Sequence, residues 1–475
     1  MSDERATGKL EPNADELRTT AIARIAIPDR EAVPLREENG VLDVLRNRNF
    51  LLLWLAQVAT QVGGNMVVYG LTVLVYSGTR SNSAVSLLLL TFLAPAVFFS
   101  AVAGVYVDRL DRRTILIVTN LLRAVFFAIV FFTGGNLVAI FILNIAISTV
   151  TTFFAPAEAA MIPVLVPRRQ LLAANGLFTF TLNAAFALGF ALLGPLVVNL
   201  AGSEALILTV ALLYLVAMVF TIILPSVPPT TSLSAVAAVH DTERAVASVF
   251  GELREGLGYI RAHRTITWSL IYLGVTASLI GVLGVLGPDF ATEALGLAPK
   301  DFVVVVLPLG MGIVTGILLL NSYGRLFSRR RLMEGGLVSL GVLLTALSAA
   351  GPITRFLQRA EAATPLDLSG LVSLLAVVVG IAFLAGVAYA LVAIPAQTEL
   401  QEELPEAVRG RVYGVLNMLV SVASFVPIII VGPISDFVGT TVVIVFVGLV
   451  VTVVGIASVL TRQPTAAATV SDGGG

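Results

Sequence analysis

The amino-acid sequence predicts an all-α integral membrane protein with twelve transmembrane helices arranged as two six-helix halves. Three observations predict this fold class: a low charge content, long apolar runs, and positions that recur between the halves. Of the 475 residues, 57% are hydrophobic and 12% are charged, and the mean hydropathy is +0.96. Soluble domains are about 25% charged. Several apolar runs exceed the ~18 residues expected of a bilayer-crossing helix, so the chain is polytopic.

Glycine, proline and charged residues interrupt the apolar sequence at intervals that define twelve spans. We expect helices rather than barrel strands, because the runs are continuous and show no alternating polarity. The predicted spans cover 51–76, 84–107, 114–132, 137–157, 172–198, 204–224, 266–287, 302–322, 335–351, 370–394, 412–434 and 440–461.

The distribution of basic residues orients these spans. If residues 1–48 are cytoplasmic, 24 of the 29 Lys and Arg residues lie in inward segments and 4 lie in outward joints. Cytoplasmic loops are enriched in Lys and Arg, so we expect both termini in the cytoplasm. Because the first apolar run is a full-length span, we expect no cleaved signal peptide.

The spans divide the chain into five regions. We predict a polar cytoplasmic tail over 1–48, a six-helix bundle over 49–224, a cytoplasmic linker over 225–265, a second six-helix bundle over 266–461 and a disordered cytoplasmic tail over 462–475. In the linker, Val249, Leu253 and Leu257 recur every four residues beside charges, which favours an interfacial helix. A solvated tether is the alternative.

Five positions in spans four and five recur in spans ten and eleven at an offset of 238 or 239 residues. They are Pro156, Ala157, Gly176, Gly194 and Pro195, which recur as Pro395, Ala396, Gly414, Gly432 and Pro433. Six spans per half is an even number, so the repeats cross the membrane in the same sense. Such repeats place a substrate site between the halves near the bilayer midplane. An alternating-access carrier is the leading interpretation.

The composition excludes several other classes. Without cysteine there is no disulfide, thiol nucleophile or cysteine-ligated metal. His240 and His263 both lie in one polar loop, so we expect neither a metal site nor a cofactor. A net charge of −1 argues against a nucleic-acid partner, and the chain lacks the GxxxxGK[ST] phosphate loop of an ATP motor. An enzyme would have little from which to build an active site.

The joint between spans two and three reads GVYVDRLDRR, from Gly104 to Arg113. Its glycine permits close helix approach, and Asp108 can accept bonds from a helix N-terminus or an arginine. The basic residues Arg109, Arg112 and Arg113 hold the joint at the cytoplasmic face. This pattern resembles the G-x-x-x-D-R-x-x-R-R signature of the major facilitator superfamily. The resemblance implies the major facilitator fold and a conformational role for these residues.

Three further stretches resemble the twelve-span branch of macrolide and enterobactin exporters. They are RNRNFLLLWLAQVATQVGGN (47–65), FFAPAEAAMIPVLVPRRQLLAANGL (153–177) and LPEAVRGRVYGVLN (404–417). The resemblance implies a monomeric drug–proton antiporter in the plasma membrane that exports small amphiphiles, with protons and the bilayer as its other partners. A lipid or lysolipid transporter without proton coupling is the alternative, and a non-transporting scaffold is disfavoured by the repeat.

Two positions depart from that branch. Where its members often carry an acid in span one, this chain has Asn65, which cannot cycle a proton. In span five, Gly189 and Gly194 are spaced one residue wider than in the G-x-x-x-G-P signature of antiporters. The usual coupling acid is therefore absent or has moved.

Polar residues inside the predicted spans recur at helical spacing. Gln57, Gln61 and Asn65 in span one share a helix face, as do Asn144 and Ser148 in span four. In lipid, such a face turns toward the protein interior or a watery cavity. We interpret these residues as lining the substrate cavity. The alternative is hydrogen bonding between helices, at ~0.6 kcal/mol per pair.

Charged residues within or near the spans are few. Arg123 lies ten residues beyond Arg113 in span three, hence ~15 Å along the helix and near mid-membrane. We assign it to the substrate cavity, or else to a structural contact with carbonyls or with amides such as Asn144. For proton coupling we nominate Glu158, then Asp289, although Glu158 also has a plain interpretation as a boundary residue. So few buried acids favour a neutral or weakly charged substrate.

Overall fold

The computed structural model describes residues 41–107, 109–227, 258, 263–362, 373–403 and 425–461. All regular secondary structure in these ranges is helical. Within the described ranges, ten segments are long and apolar enough to cross a membrane. One of them, Arg168–Ile222, has 55 residues and contains spans five and six. A shorter apolar helix, Phe425–Val438, lies where the second part of span eleven is predicted. The predicted fold class, an all-α integral membrane protein, is confirmed.

The helices follow the predicted spans with shifts of a few residues at most ends. In the first half they are Arg48–Thr79 (span one), Asn82–Val107 (two), Arg112–Phe132 (three), Leu137–Leu165 (four), Leu171–Ala185 (first part of five) and Gly194–Ile222 (end of five, and six). In the second half they are Arg264–Glu293 (seven), Val303–Tyr323 (eight), Arg329–Ser348 (nine), Leu374–Glu403 (ten), Phe425–Val438 (eleven) and Thr440–Leu460 (twelve). A helix at Ala350–Ala362, after span nine, is not among the predicted elements.

Local chemistry explains several of these boundaries. Before span one, the Asn47 side chain accepts the backbone N–H of Asn49 at 3.1 Å. Before span four, Asn136 accepts that of Ala139 at 3.1 Å. Such side chains satisfy the N–H groups that a helix start leaves unpaired. Gly202, with φ of 86°, breaks the long helical segment and separates spans five and six.

Span five changes its helical form halfway along. Residues Phe186–Leu193 are π-helical, and the N–H of Gly194 donates to the carbonyl of Gly189, five residues earlier. Gly189 lies directly against span one: a Cβ there would stand 2.5 Å from the Val62 carbonyl oxygen and 2.8 Å from the Asn65 Cβ. The absence of a side chain at Gly189 therefore allows the two helices to touch.

The two halves meet at the end of the bundle where spans one and seven end and spans two and eight begin. We call this the closed end. Phe302, between spans seven and eight, stacks on Tyr69 of span one with ring centroids 4.8 Å apart, and it contacts Phe190 of span five at 6.1 Å. The Tyr69 hydroxyl also donates to the Lys300 carbonyl. These side chains belong to one core cluster to which both halves contribute, so the two halves pack directly against each other here.

The predicted tails and linker fall largely outside the described residues. This holds for 1–40, for the part of the linker that carries the predicted interfacial helix, and for 462–475. Within the predicted N-terminal tail, the helix Val41–Leu45 buries Val44 in the same cluster as Phe50 of span one. The five-region division stays a prediction.

Candidate functional site

The joint that resembles the superfamily signature lies where span two ends and span three begins. Gly104 stands in the last turn of span two, and Arg112 is the first residue of span three. Arg109 is 4% exposed and therefore packs into the protein. Asp108 lies outside the described residues, so its predicted conformational role stays a prediction.

Asp111 and Arg113 tie this joint to the end of span six. The Asp111 carboxylate accepts the N–H of Val227 at 2.9 Å and the hydroxyl of Thr114 at 2.8 Å. Arg113 donates to the carbonyl of Ile222. Partial burial by itself would raise the pKa of Asp111, but the bonds from Thr114 and Val227 outweigh it and hold the pKa below its usual value. These hydrogen bonds therefore connect the joint to the end of span six, the last span of its own half.

The polar residues of span one divide into a buried part and a more accessible part. Gln57 is 2% exposed, and its amide donates to the carbonyl of Phe178 in span five at 3.4 Å. Gln61 and Asn65 are half-buried, and the Asn65 amide donates back to the Gln61 carbonyl at 2.8 Å. Gln57 thus joins two helices, while Gln61 and Asn65 keep some accessible surface.

Both predicted cavity residues of span four are buried. The Asn144 amide donates to the hydroxyl of Thr91 in span two at 2.7 Å, and Asn144 is 1% exposed. Ser148, one turn further along, is 7% exposed. In this conformation Asn144 connects spans two and four, the role that the sequence offered as the alternative to lining a cavity.

Arg123 is buried in the first half, with 2% of its surface exposed. Its guanidinium carbon lies 4.1 Å from the ring centroid of Phe154 in span four and 4.5 Å from that of Tyr214 in span six. It also donates to the side-chain oxygen of Asn120 at 2.6 Å. The predicted type of structural contact, with a carbonyl and an amide, is found: Arg123 also donates to the Thr119 carbonyl at 3.3 Å. The amide is that of Asn120 on its own helix rather than Asn144, and the two aromatic rings complete the surroundings of the cation.

Glu158 lies deeper in span four than the sequence suggested. The helix continues to Leu165 rather than ending at 157, because it passes through Pro156 and Pro163. Glu158 is 6% exposed, its Oε1 has no hydrogen-bond partner, and it interacts electrostatically with Arg123. Glu158 therefore lies within the helix rather than at its boundary, and the first half buries one acid and one cation that interact with each other.

Asp289 lies at the closed end, as its place near the end of span seven predicts. It is 6% exposed and accepts hydrogen bonds from the hydroxyls of Tyr76 and Thr440 and, at 2.8 Å, from the Asn82 amide. Tyr76 and Asn82 belong to the first half and Thr440 to the second. Asp289 therefore bridges the two halves.

A cavity of about 890 Å³ lies within the second half, between spans seven, eleven and twelve. Among the described residues that line it, Thr267 and Ser278 carry the polar side chains and the rest are apolar. The Ser278 hydroxyl donates to the carbonyl of Gly274 in its own helix at 2.7 Å. Across the described ranges, no three His, Asp or Glu side chains are grouped as metal ligands.

Sequence comparisons identify relatives along most of the chain. It is 23% identical over 400 residues to the multidrug efflux pump Tap of Mycolicibacterium fortuitum, covering 82% of this chain and 90% of that protein. It is 24% identical to Tap of Mycobacterium tuberculosis (strain H37Rv) over 410 residues, covering 83% and 90%. The uncharacterized MFS-type transporter YkuC of Bacillus subtilis is 26% identical over 300 residues, 61% of this chain and 67% of its own length.

Structural comparisons show the same fold at low sequence identity. The nucleoside transporter NupG superposes with a TM-score of 0.63 at 13% identity, covering 87% of this chain and 99% of that one. A bacterial homologue of ferroportin in its inward-facing state gives 0.62 at 14% identity, covering 88% and 100%. The sequence profile of the Major Facilitator Superfamily matches residues 53–427. The major facilitator fold predicted from the sequence is therefore confirmed, and the chain belongs to the Major Facilitator Superfamily.

Proposed function

We propose that this chain is a secondary active exporter of small amphiphilic compounds, driven by proton antiport. Membership of the superfamily supports transport of a small molecule rather than catalysis. Similarity to relatives named as multidrug efflux pumps, over more than four fifths of the chain, supports export of drug-like compounds. The observation that carries proton coupling is the buried Glu158 with its unpartnered carboxylate oxygen.

Glu158 has the properties that proton exchange requires. A buried carboxylate oxygen without a donor is costly when ionised, and protonation removes that cost. The nearby Arg123 favours the ionised form, so the two influences oppose each other and the group is poised to change state. This position supplies the titratable acid that Asn65 cannot supply in span one. Asp289 is the second candidate, but its bonds across the closed end favour a role in closure.

The accessible polar groups favour a neutral or weakly charged substrate. Gln61 and Asn65 are the members of the predicted cavity set that keep surface accessible, and both are amides. We propose that they contact the substrate, while Gln57, Asn144 and Ser148 position the helices around it. Amide donors and acceptors in an otherwise apolar cavity suit an amphiphile.

The orientation follows from the basic residues. With both termini in the cytoplasm, the closed end faces outward and the joint at Arg109 faces inward. A structure sealed at its outer end excludes solvent and substrate from that side, which is one of the states that alternating access requires. We propose a monomer in the plasma membrane that alternates between this state and one in which the closed end is open.

Transport in everted membrane vesicles tests this proposal. A pH-reporting dye follows an imposed proton gradient while macrolides, lipophilic dyes, siderophores and lysolipids are added in turn. We expect compound-dependent collapse of the gradient with the parent protein and none with Glu158→Gln, which should still exchange substrate down its own gradient. Glu204→Gln is the matched control, because Glu204 is exposed and the chemical change is the same.

The outcomes separate the parts of the proposal. Glu158→Gln with parental proton flux would remove Glu158 from coupling, and the same experiment with Asp289→Asn would then test the second candidate. Substrate flux that is independent of the gradient in every variant would refute antiport. Collapse or flux with lysolipids alone would favour a lipid transporter over a drug exporter.

A further inference from the structure

The N-terminus of span two, in the first half, is capped by an acid of the second half. The backbone N–H groups of Asn82 and Ser83 donate to the Asp436 carboxylate at 2.7 and 3.0 Å. The hydroxyls of Ser81 and Ser83 donate to the same carboxylate at 2.7 and 2.6 Å. A helix start leaves its first N–H groups unpaired and favours negative charge. Asp436 meets both needs from the end of span eleven.

A second acid continues this network toward the interior. The Asn82 amide donates at 2.8 Å to Asp289 and at 3.2 Å to the Thr440 hydroxyl, which itself donates to Asp289. Tyr76, from the end of span one, donates to the other oxygen of Asp289. Asn82 is 2% exposed, so these bonds form away from water. Two carboxylates of the second half thus accept hydrogen bonds from the polar groups at the junction of spans one and two.

Backbone contact beneath the carboxylates completes the arrangement. Gly432, one turn before Asp436, faces span two so closely that a Cβ would stand 2.6 Å from the Asn82 carbonyl oxygen and would clash with the Ser86 hydroxyl. Ser86 is 3% exposed and its hydroxyl has no hydrogen-bond partner. The bare backbone of span eleven therefore covers Ser86 while the carboxylate of Asp436 holds the helix start above it.

The geometry points to Asp436 and Asp289 as the latch that holds the closed end shut during transport. When this end opens, the groups that donate to Asp436 and Asp289 must bond to water instead, and Ser86 becomes exposed. Asparagine at position 436 lacks the negative charge that the helix start favours, and its NH₂ group faces N–H donors. Loss of the charge therefore weakens closure and raises the population that is open at this end. The inference rests on the alternating access proposed above, but its test measures how often this end opens and not transport itself.

The cysteine-free sequence allows a direct test. Ser86→Cys places a single thiol beneath the latch and breaks no hydrogen bond of the Ser86 hydroxyl. The rate of labelling of purified protein by a bulky, charged maleimide then reports how often this end opens. We expect Asp436→Asn to accelerate labelling about tenfold, which corresponds to ~1.4 kcal/mol, and Glu204→Gln to leave it unchanged. Glu204 is an exposed acid that makes none of the latch bonds.

Folding is checked by monodisperse elution of each variant. A folded Asp436→Asn protein that labels within twofold of its parent would overturn the inference. If Asp436→Asn does not fold, Asp289→Asn is scored by the same criterion. Faster labelling in a protein that moves no compound in vesicles would support the latch and count against the proposed substrate class. Normal transport with unchanged labelling would overturn the latch and support the proposed substrate class.

Discussion

Replacing Arg123 by glutamine removes a buried cation from between two aromatic rings. The structure gives it two ring contacts, at 4.1 and 4.5 Å, and a 2.6 Å bond to Asn120. A desolvated cation–π contact contributes ~2 kcal/mol and a hydrogen bond from a charged group ~1.5–3 kcal/mol. Relief of the charge's burial offsets several kcal/mol of that sum. We expect a net loss of about 2 kcal/mol in the free energy of unfolding of the first half.

Tryptophan fluorescence makes this loss measurable half by half. The chain has two tryptophans: Trp54 in span one, bonded to the Thr181 hydroxyl at 2.8 Å, and Trp268 in span seven. In a Trp268→Phe background, denaturant titration in micelles follows the first half through Trp54 alone. Arg80→Gln is the matched control, because Arg80 is exposed and lies 5.9 Å from a single ring. It should cost under about 0.5 kcal/mol.

The substitution Arg123→Lys separates charge from shape. Lysine keeps the positive charge near Glu158 but loses the flat guanidinium that stacks on Phe154 and Tyr214. We expect a stability between those of the parent and Arg123→Gln. The reasoning would be refuted if Arg123→Gln unfolded within about 0.5 kcal/mol of the parent. It would also be refuted if, in the reciprocal Trp54→Phe background, the transition seen by Trp268 moved as far as the one that Trp54 reports.

Two further predictions concern helix contact and the cytoplasmic joint. Gly189→Ala should destabilise the first half by ~1–3 kcal/mol, because its Cβ would clash with the Val62 carbonyl oxygen. Gly176→Ala should not, because a Cβ there would meet no neighbour within 4 Å beyond its own turn of helix. Denaturant midpoints compare the two variants, and equal midpoints would contradict the close approach. Asp111→Asn should lower the melting temperature at pH 7. Because the folded-state pKa of Asp111 is depressed, the difference should shrink once pH falls below the ordinary aspartate pKa of ~3.9 and vanish only below the lower folded-state pKa. A difference that persists below both would assign the effect to packing.

Hydropathy was sufficient to predict the spans, but not the depth of Glu158. The proline and acid at 156–158 have the composition of a helix end, and the sequence prediction stopped span four there. Inside a membrane protein, neighbouring helices compensate the backbone groups that a proline leaves free, so the helix runs on to Leu165. A polar residue followed by a further apolar turn, as in AAMIPVL, is the signal that could have extended the span.

The partners of Arg123 and Asp436 could not be predicted because they depend on pairing between distant helices. Phe154 and Tyr214 are ordinary aromatic residues of apolar spans, and nothing in their local sequence indicates that their rings face a cation. Asp436 has the position of a boundary residue at a span end. Its role arises from Gly432, which brings that end within hydrogen-bond distance of a helix start some 350 residues earlier in the chain.

The π-helical turn of span five has a consequence for how the antiporter signature is read. The signature spaces its two glycines four residues apart, and this chain spaces Gly189 and Gly194 five apart. A turn closed by a bond between residues five apart absorbs the extra residue locally. Gly189 keeps its contact with span one despite what amounts to an insertion. A motif search that requires a fixed spacing between the two glycines would reject this chain, although the π-helical turn keeps Gly189 against span one.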